Sequence, residues 1–230
     1  MPKNFKTFEE GVGLSFNNLD LLRQAFTHRS YLNEHRTLTH GHNERLEFLG
    51  DAVLELIVTR FLYEKFPEQD EGDLTAYRAA LVNAVTLSAI AGSIGMDDYL
   101  LLSRGEAKDK GRARQMLLAN ALEALVGAIY LDQGYEAAQV FLEKRLFPKI
   151  DEIVQKGLWQ DSKSSLQENA QETEGVTPSY KVMREWGPDH DKHFTVGVYI
   201  KERLVAEGEG KSKQEAEQAA AHKALAAKGW

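Results

Sequence analysis

Apolar residues recur at helical spacing as far as about residue 156 and alternate with polar ones afterwards, and this change of period limits the folds open to the chain. Leu19, Leu22, Ala25 and Phe26 mark one helical segment; longer ones run from Leu46 to Phe66, Leu74 to Ile94 and Leu117 to Leu131. Between them stand stop signals: Pro67, Gly72, the run Gly105 to Gly111, Gly134 and Pro148. Beyond Gly157, a helix over Ser162 to Glu172 is followed by alternation at Tyr180, Val182, Arg184 and Trp186, then at Phe194, Val196, Val198 and Ile200, then over Leu204 to Glu207. Lys211 to Lys228 returns to helix with seven alanines, a low-profile face that can lie close on a sheet. The expected organisation is an all-α domain over residues 1–156, a linker over 157–161, and a small α+β domain of order α-β-β-β-α over 162–230. A length of 230 residues suits one larger and one smaller core.

The chain has no cysteine, which excludes disulfide scaffolds, thiolate metal sites and cysteine nucleophiles. Met1 to Glu10 lacks the apolar run of a secretory signal, and the start is expected to be unprocessed. The longest apolar stretch, Leu117 to Leu131, is fifteen residues and includes Asn120 and Glu123, too short and polar to span a bilayer of about 30 Å. A cytoplasmic location without membrane contact is expected. Net charge is −7, with 18 basic and 23 acidic residues up to position 160 and 10 basic and 12 acidic after it. Any polyanionic partner must therefore be held by local clusters of lysine and arginine.

Two helical stretches carry acids where burial is expected. In Asn43-Glu44-Arg45-Leu46-Glu47-Phe48-Leu49-Gly50-Asp51, the spacings 44/47 and 47/51 put three carboxylates on one face. Leu46, Phe48, Leu49, Val53, Leu54, Ile57 and Val58 make most of the circumference apolar, so the helix is expected to be largely buried. In Leu117 to Ile129 the strongly polar residues are Asn120 and Glu123, three apart on one face. A lone buried carboxylate costs several kcal/mol unless paired or metal-bound, and an ion pair with Arg45 or Arg78 is the alternative to a metal. If the two helices pack together, Glu47, Asp51, Asn120 and Glu123 form an oxygen-only set, which suits Mg²⁺ or Mn²⁺ rather than zinc. Such chemistry points to phosphodiester hydrolysis. Glu71 opens the next helix, where the dipole explains an acid equally well.

Asn43 to Leu54 resembles the signature of the ribonuclease III family of double-stranded-RNA endonucleases. The resemblance continues through Thr27-His28-Arg29-Ser30-Tyr31, Glu71-Gly72-Asp73-Leu74-Thr75, Arg78 to Val82, Leu118-Ala119-Asn120 and Tyr130-Leu131-Asp132, over nearly the whole chain. It implies metal-ligand positions at Glu47, Asn120 and Glu123, catalytic positions at Asp51 and Glu123, and supporting acids at Glu44 and Glu71. It also implies a homodimer whose shared valley cuts both strands, leaving 5′-phosphate and 3′-hydroxyl ends, with ribosomal and other structured RNA precursors as substrates. The family usually has aspartate where this chain has Asn120. An amide offers one oxygen without the charge, so weaker metal binding is expected, and an idle RNA-binding protein or RNA chaperone is the rival reading.

The tail resembles a double-stranded-RNA-binding domain. Ser164, Gln167, Glu168 and Gln171 recur on one helix face, suited to 2′-hydroxyls and base edges in a shallow minor groove. Gly187 to Phe194 matches the family's loop, which implies that His190 enters the next minor groove. Lys211 and Lys213 flank a helix N-terminus, where free N–H groups attract phosphate, and Gln214 stands where the family often has a further lysine. Three further signals are weaker. His40-Gly41-His42 reads as loop rather than zinc site, and His28 as a packed or capping histidine. Lys108, Lys110, Arg112 and Arg114 form a basic run resembling a substrate-facing stretch of the family.

Overall fold

The computed structural model describes residues 3–35, 40–155, 162–188 and 192–230. The chain divides into two compact units, Met1–Trp159 and Gln160–Trp230.

The first unit is helical: α1 (Phe5–Val12), α2 (Leu19–Ala25), α3 (Arg29–Glu34), α4 (Glu44–Lys65), α5 (Glu71–Leu81), α6 (Ala84–Ser93), α7 (Arg112–Gln133), α8 (Tyr135–Arg145) and α9 (Lys149–Gln155). Its axis is α7, whose Ala119, Ala121, Leu122 and every residue from Ala124 to Ile129 are buried, with α2, α4, α6 and α8 packed around it. The apolar run Leu74 to Ile94 is two helices, not one, because Asn83 takes extended backbone and its side-chain oxygen accepts the Thr86 N–H, starting α6 afresh. Asp132 at the end of α7 accepts the backbone N–H groups of Asn17 and Asn18 at 2.8 and 2.9 Å, which assigns it to holding α2 in place.

The expectation that α4 is largely buried is corrected. Leu46, Val53, Leu54, Ile57 and Val58 face the core, but Phe48 is 82% exposed, Leu56 59% and Tyr63 73%. Helical spacing counts apolar residues without saying what covers each face, so a second apolar face looks the same in the sequence as a wide core stripe.

In the second unit, α10 (Ser162–Glu174) and α11 (Lys213–Lys228) pack on one face of an antiparallel sheet of β1 (Ser179–Trp186), β2 (His193–Ile200) and β3 (Arg203–Gly210), in the order β1-β2-β3. Val182 pairs with Val196 and Val198 with Ala206; Val196, Val198 and Ile200 are buried, as are Leu166 and Ala170 of α10. The alanine face of α11, with Ala216, Ala220, Ala221 and Ala224 buried, comes so close to β3 that a Cβ on Gly208 would overlap the backbone of Ala216 and Ala220. The helical domain followed by α-β-β-β-α is the architecture read from the periodicity.

Candidate active site and nucleic-acid interface

The acids meet because two glycines let two helix backbones touch. Where α4 crosses α7, a Cβ on Gly50 would overlap the carbonyl oxygen of Glu123, and a Cβ on Gly127 would overlap that of Leu46. The crossing brings Glu47 and Asp51 beside Asn120 and Glu123. Burial, then the charges of Asp51 and Glu47, push the Glu123 carboxyl up from 4.5 to about 7. Glu47 is raised by its own burial and by Glu44 and Asp51, while the Asn120 amide, donating to its carboxylate, partly offsets this. Asp51 and Glu44 are exposed, and Glu47, Asn120 and Glu123 are half-buried.

The ion-pair alternative for Glu123 is not realised among the described residues. Arg45 is exposed, and Arg78 donates to the Thr59 hydroxyl at 3.0 Å. Glu44 is the acid with basic neighbours: Arg29 Nη1 lies 3.5 Å and His42 Nδ1 3.7 Å from its carboxylate. The donors of Glu47, Asp51, Asn120 and Glu123 are all oxygens, and among the described residues their repulsion meets no counter-charge, so the chemistry of the set suits a divalent cation. Among the described residues, however, no three His, Cys, Asp or Glu side chains are placed to hold one by themselves. Glu47, Asp51 and Glu123 are near enough to act on one another's charge without forming a ready-made three-carboxylate site; Mg²⁺ takes few protein ligands, with water and substrate phosphate completing its shell.

Behind Glu44 and Glu47 lies a cavity of about 230 Å³ lined by those acids, Asn43, Asn120, His28, Leu100, Leu102 and Leu117. Its back wall is tied to α4: Asn43 N–H donates to the Thr27 carbonyl at 2.8 Å, and its side-chain amide to the Ala25 carbonyl at 3.3 Å. His28 caps α3, accepting from the Ser30 N–H, in keeping with a capping histidine. Its place on this cavity is the feature sequence reasoning missed; the signal was its position in a motif separate from the acids.

Glu71, the first residue of α5, is exposed and does not figure among the charges that perturb Glu47 or Glu123. In the basic run, Arg114 is committed internally: its Nε donates to Asp97 at 2.6 Å. Lys108, Lys110 and Arg112 stay exposed.

In the second unit, Ser164, Gln167 and Gln214 converge with Lys163, Pro178, Tyr180 and Gln218 around a cavity of about 260 Å³. Lys163, which sequence reasoning passed over, is held there by Glu217 at 2.6 Å. Glu168 and Gln171 are exposed on α10 but do not line the cavity. Lys211 and Lys213 are exposed at the start of α11, where Ser212 caps the helix through the Glu215 N–H. His190 lies outside the described residues.

The fold and site thus define a helical domain with an uncompensated acidic crossing, followed by an α-β-β-β-α module. Residues 18–150 match the family model described as Ribonuclease-III-like, and residues 162–228 match the double-stranded RNA binding motif. Ribonuclease 3 of Bacillus licheniformis is 47% identical over 224 residues, covering 97% of this chain and 90% of its own. The nuclease domain of ribonuclease III from Campylobacter jejuni superposes with a TM-score of 0.56 at 40% identity, covering 62% of this chain and 93% of that domain. A second structure of that domain, with the same TM-score and identity over 63% of this chain and 99% of that one, was described for structural flexibility in a region involved in dimer formation. The chain belongs to the ribonuclease III family.

Proposed function

We propose that the chain is an endoribonuclease that hydrolyses phosphodiester bonds in double-stranded RNA at the crossing of α4 and α7, with Mg²⁺ held by Glu47, Asn120 and Glu123. The observation that carries this reading is the half-buried Glu123, set beside Glu47 and Asp51 with no arginine or lysine among the described residues to neutralise it, in a chain that also carries a double-stranded RNA binding motif. When bound, the cation lowers the pKa of an attacking water and stabilises charge on the phosphoryl oxygens. The chain's own part is to fix the oxygens: Gly50 and Gly127 set the spacing, Asn120 orients Glu47, and exposed Asp51 faces the solvent side, from which substrate approaches. Glu44 and Glu71 are supporting acids. Membership in the family supports reading the products as having 5′-phosphate and 3′-hydroxyl ends, and the substrates as ribosomal and other structured RNA precursors in the cytoplasm.

Two copies act together in this reading. The exposed apolar side of α4, with Phe48, Leu56 and Tyr63, suits self-association. Among the described residues no single helix is long and apolar enough to cross a membrane. In the second unit, Ser164, Gln167, Glu168, Gln171 and His190 contact the minor groove, while Lys211, Lys213 and Gln214 contact phosphates.

That no three acids among the described residues are placed to hold a cation by themselves favours one rival, a protein that binds RNA without cutting it. Incubating long duplex RNA with the protein in Mg²⁺, Ca²⁺ or EDTA, beside Glu123→Ala, separates the two. Cleavage by the unaltered chain in Mg²⁺ alone supports the enzyme; binding throughout with no cleavage supports the rival.

A further inference from the structure

We propose that His28 is a positioning residue of the acidic site, acting through water in the cavity behind Glu44 and Glu47 to hold those carboxylates in the orientation that receives the cation. The inference rests on the cation site proposed above and adds a residue to it.

Hydrogen bonding fixes which nitrogen of His28 carries the proton. The Ser30 hydroxyl oxygen accepts the Ser103 N–H at 3.1 Å, so its own hydrogen is free to go to His28 Nδ1, 2.8 Å away. The Ser30 N–H approaches the same nitrogen at 3.4 Å. With Nδ1 receiving hydrogens, the neutral ring carries its proton on Nε2. Among the described residues that N–H has no hydrogen-bond partner, and the ring lines a cavity that also holds two carboxylates and the Asn120 amide. The backbone that carries the ring is tied down: the His28 backbone N–H donates to the Leu101 carbonyl at 3.0 Å, and the Thr27 carbonyl accepts the Asn43 N–H at the head of α4.

A neutral donor suits this position. Glu44 already has Arg29 and His42 beside it and Glu47 has the Asn120 amide; a neutral donor facing the cavity adds hydrogens there without further positive charge, which would repel the incoming cation. The volume of about 230 Å³ has room for several waters, each with polar partners on one wall and Leu100, Leu102 and Leu117 confining them on the other. Burial holds the His28 pKa below its usual value; Glu106 and Glu44 pull it upward, and Arg29 and His42 push it down. Partners that orient metal ligands in this way typically contribute about 10–100-fold in metal affinity or activity.

The test is calorimetric titration of Mn²⁺ into the full chain without RNA, for the unaltered protein, Glu123→Ala, His28→Ala, His28→Gln and Ser30→Ala, with thermal midpoints measured in parallel. His28→Ala is expected to weaken Mn²⁺ binding about tenfold or more. His28→Gln, whose Nε2 can present N–H near the same point, is expected to recover most of the loss, and Ser30→Ala to give a smaller one. If His28→Ala lowers the thermal midpoint but binds Mn²⁺ like the unaltered chain, the residue is only a helix cap and the inference is overturned. Should His28→Ala fail to fold, unchanged Mn²⁺ affinity in Ser30→Ala and weak binding in His28→Gln overturn it equally. If the unaltered chain and Glu123→Ala bind Mn²⁺ alike, the cation site itself fails, and this inference with it.

Discussion

Gly50 and Gly127 face each other across the closest approach of α4 and α7, each leaving room for a carbonyl oxygen of the opposite helix that a side chain would deny it. The acidic site is a consequence of that approach. Glu47 and Asp51 sit within one turn of Gly50, and the carbonyl that Gly50 touches belongs to Glu123 itself.

Gly127→Ala is therefore expected to force the helices apart, costing about 1–3 kcal/mol or more as an overpacked core does, and to abolish cleavage. Gly92→Ala in α6 is the control, because a Cβ there meets nothing within 4 Å. It should be neutral or stabilising by up to about 1 kcal/mol. Denaturant unfolding of both variants checks the pair.

Glu123 ties stability to pH in the opposite sense to a salt-bridged acid. Its carboxyl, raised from 4.5 to about 7, binds its proton more tightly in the folded chain than in the unfolded one. Its contribution to stability is fullest below pH 4.5, declines as the pH rises, and is lost once the pH passes about 7. In chelator, Glu123→Gln should melt higher than the unaltered chain at pH 8, by about 2–4 °C for each kcal/mol of repulsion relieved, with the gap closing toward pH 5. A gap independent of pH would show that Glu123 is not the titrating group.

Replacing Asn120 by aspartate adds a second oxygen and a charge. Asn120→Asp is expected to lower the Mg²⁺ concentration for half-maximal cleavage of duplex RNA, while removing the amide hydrogen bond that eases Glu47 in the ion-free state. A metal titration showing equal or poorer dependence refutes a ligand role for position 120.

Much of this is legible in the chain and some of it is not, for identifiable reasons. The three strands of the second unit and the alanine face of α11 follow from alternation and composition. The turn between β2 and β3 does not: Lys201 and Glu202 take left-handed backbone at φ 48° and 65°, where asparagine or glycine is the usual signal. The acids on α4 and α7 announce themselves by interrupting apolar runs. The glycines that bring them together look like ordinary helix residues, since close approach depends on the partner helix. Phe48 reads as core in the sequence because periodicity cannot separate a core face from one awaiting another molecule.

Phe48→Glu tests that second face directly. It should leave the fold intact, because the side chain is 82% exposed, and shift the protein to a smaller mass in sedimentation or light scattering. An unchanged mass removes this face from self-association.

In the second unit, Lys211→Ala with Lys213→Ala should weaken RNA binding and flatten the slope of log affinity against log salt by about two, one for each phosphate left without its lysine. A slope equal to that of the unaltered chain would place the phosphate-binding groups elsewhere.

The amide of Asn120, resting on Glu47, gives the crossing a clasp that needs no ion. A fourth carboxylate in its place, beside Glu47, Asp51 and Glu123, would add repulsion that the ion-free chain has to carry. With the amide, the crossing carries one charge fewer and keeps a hydrogen bond of its own between the two helices.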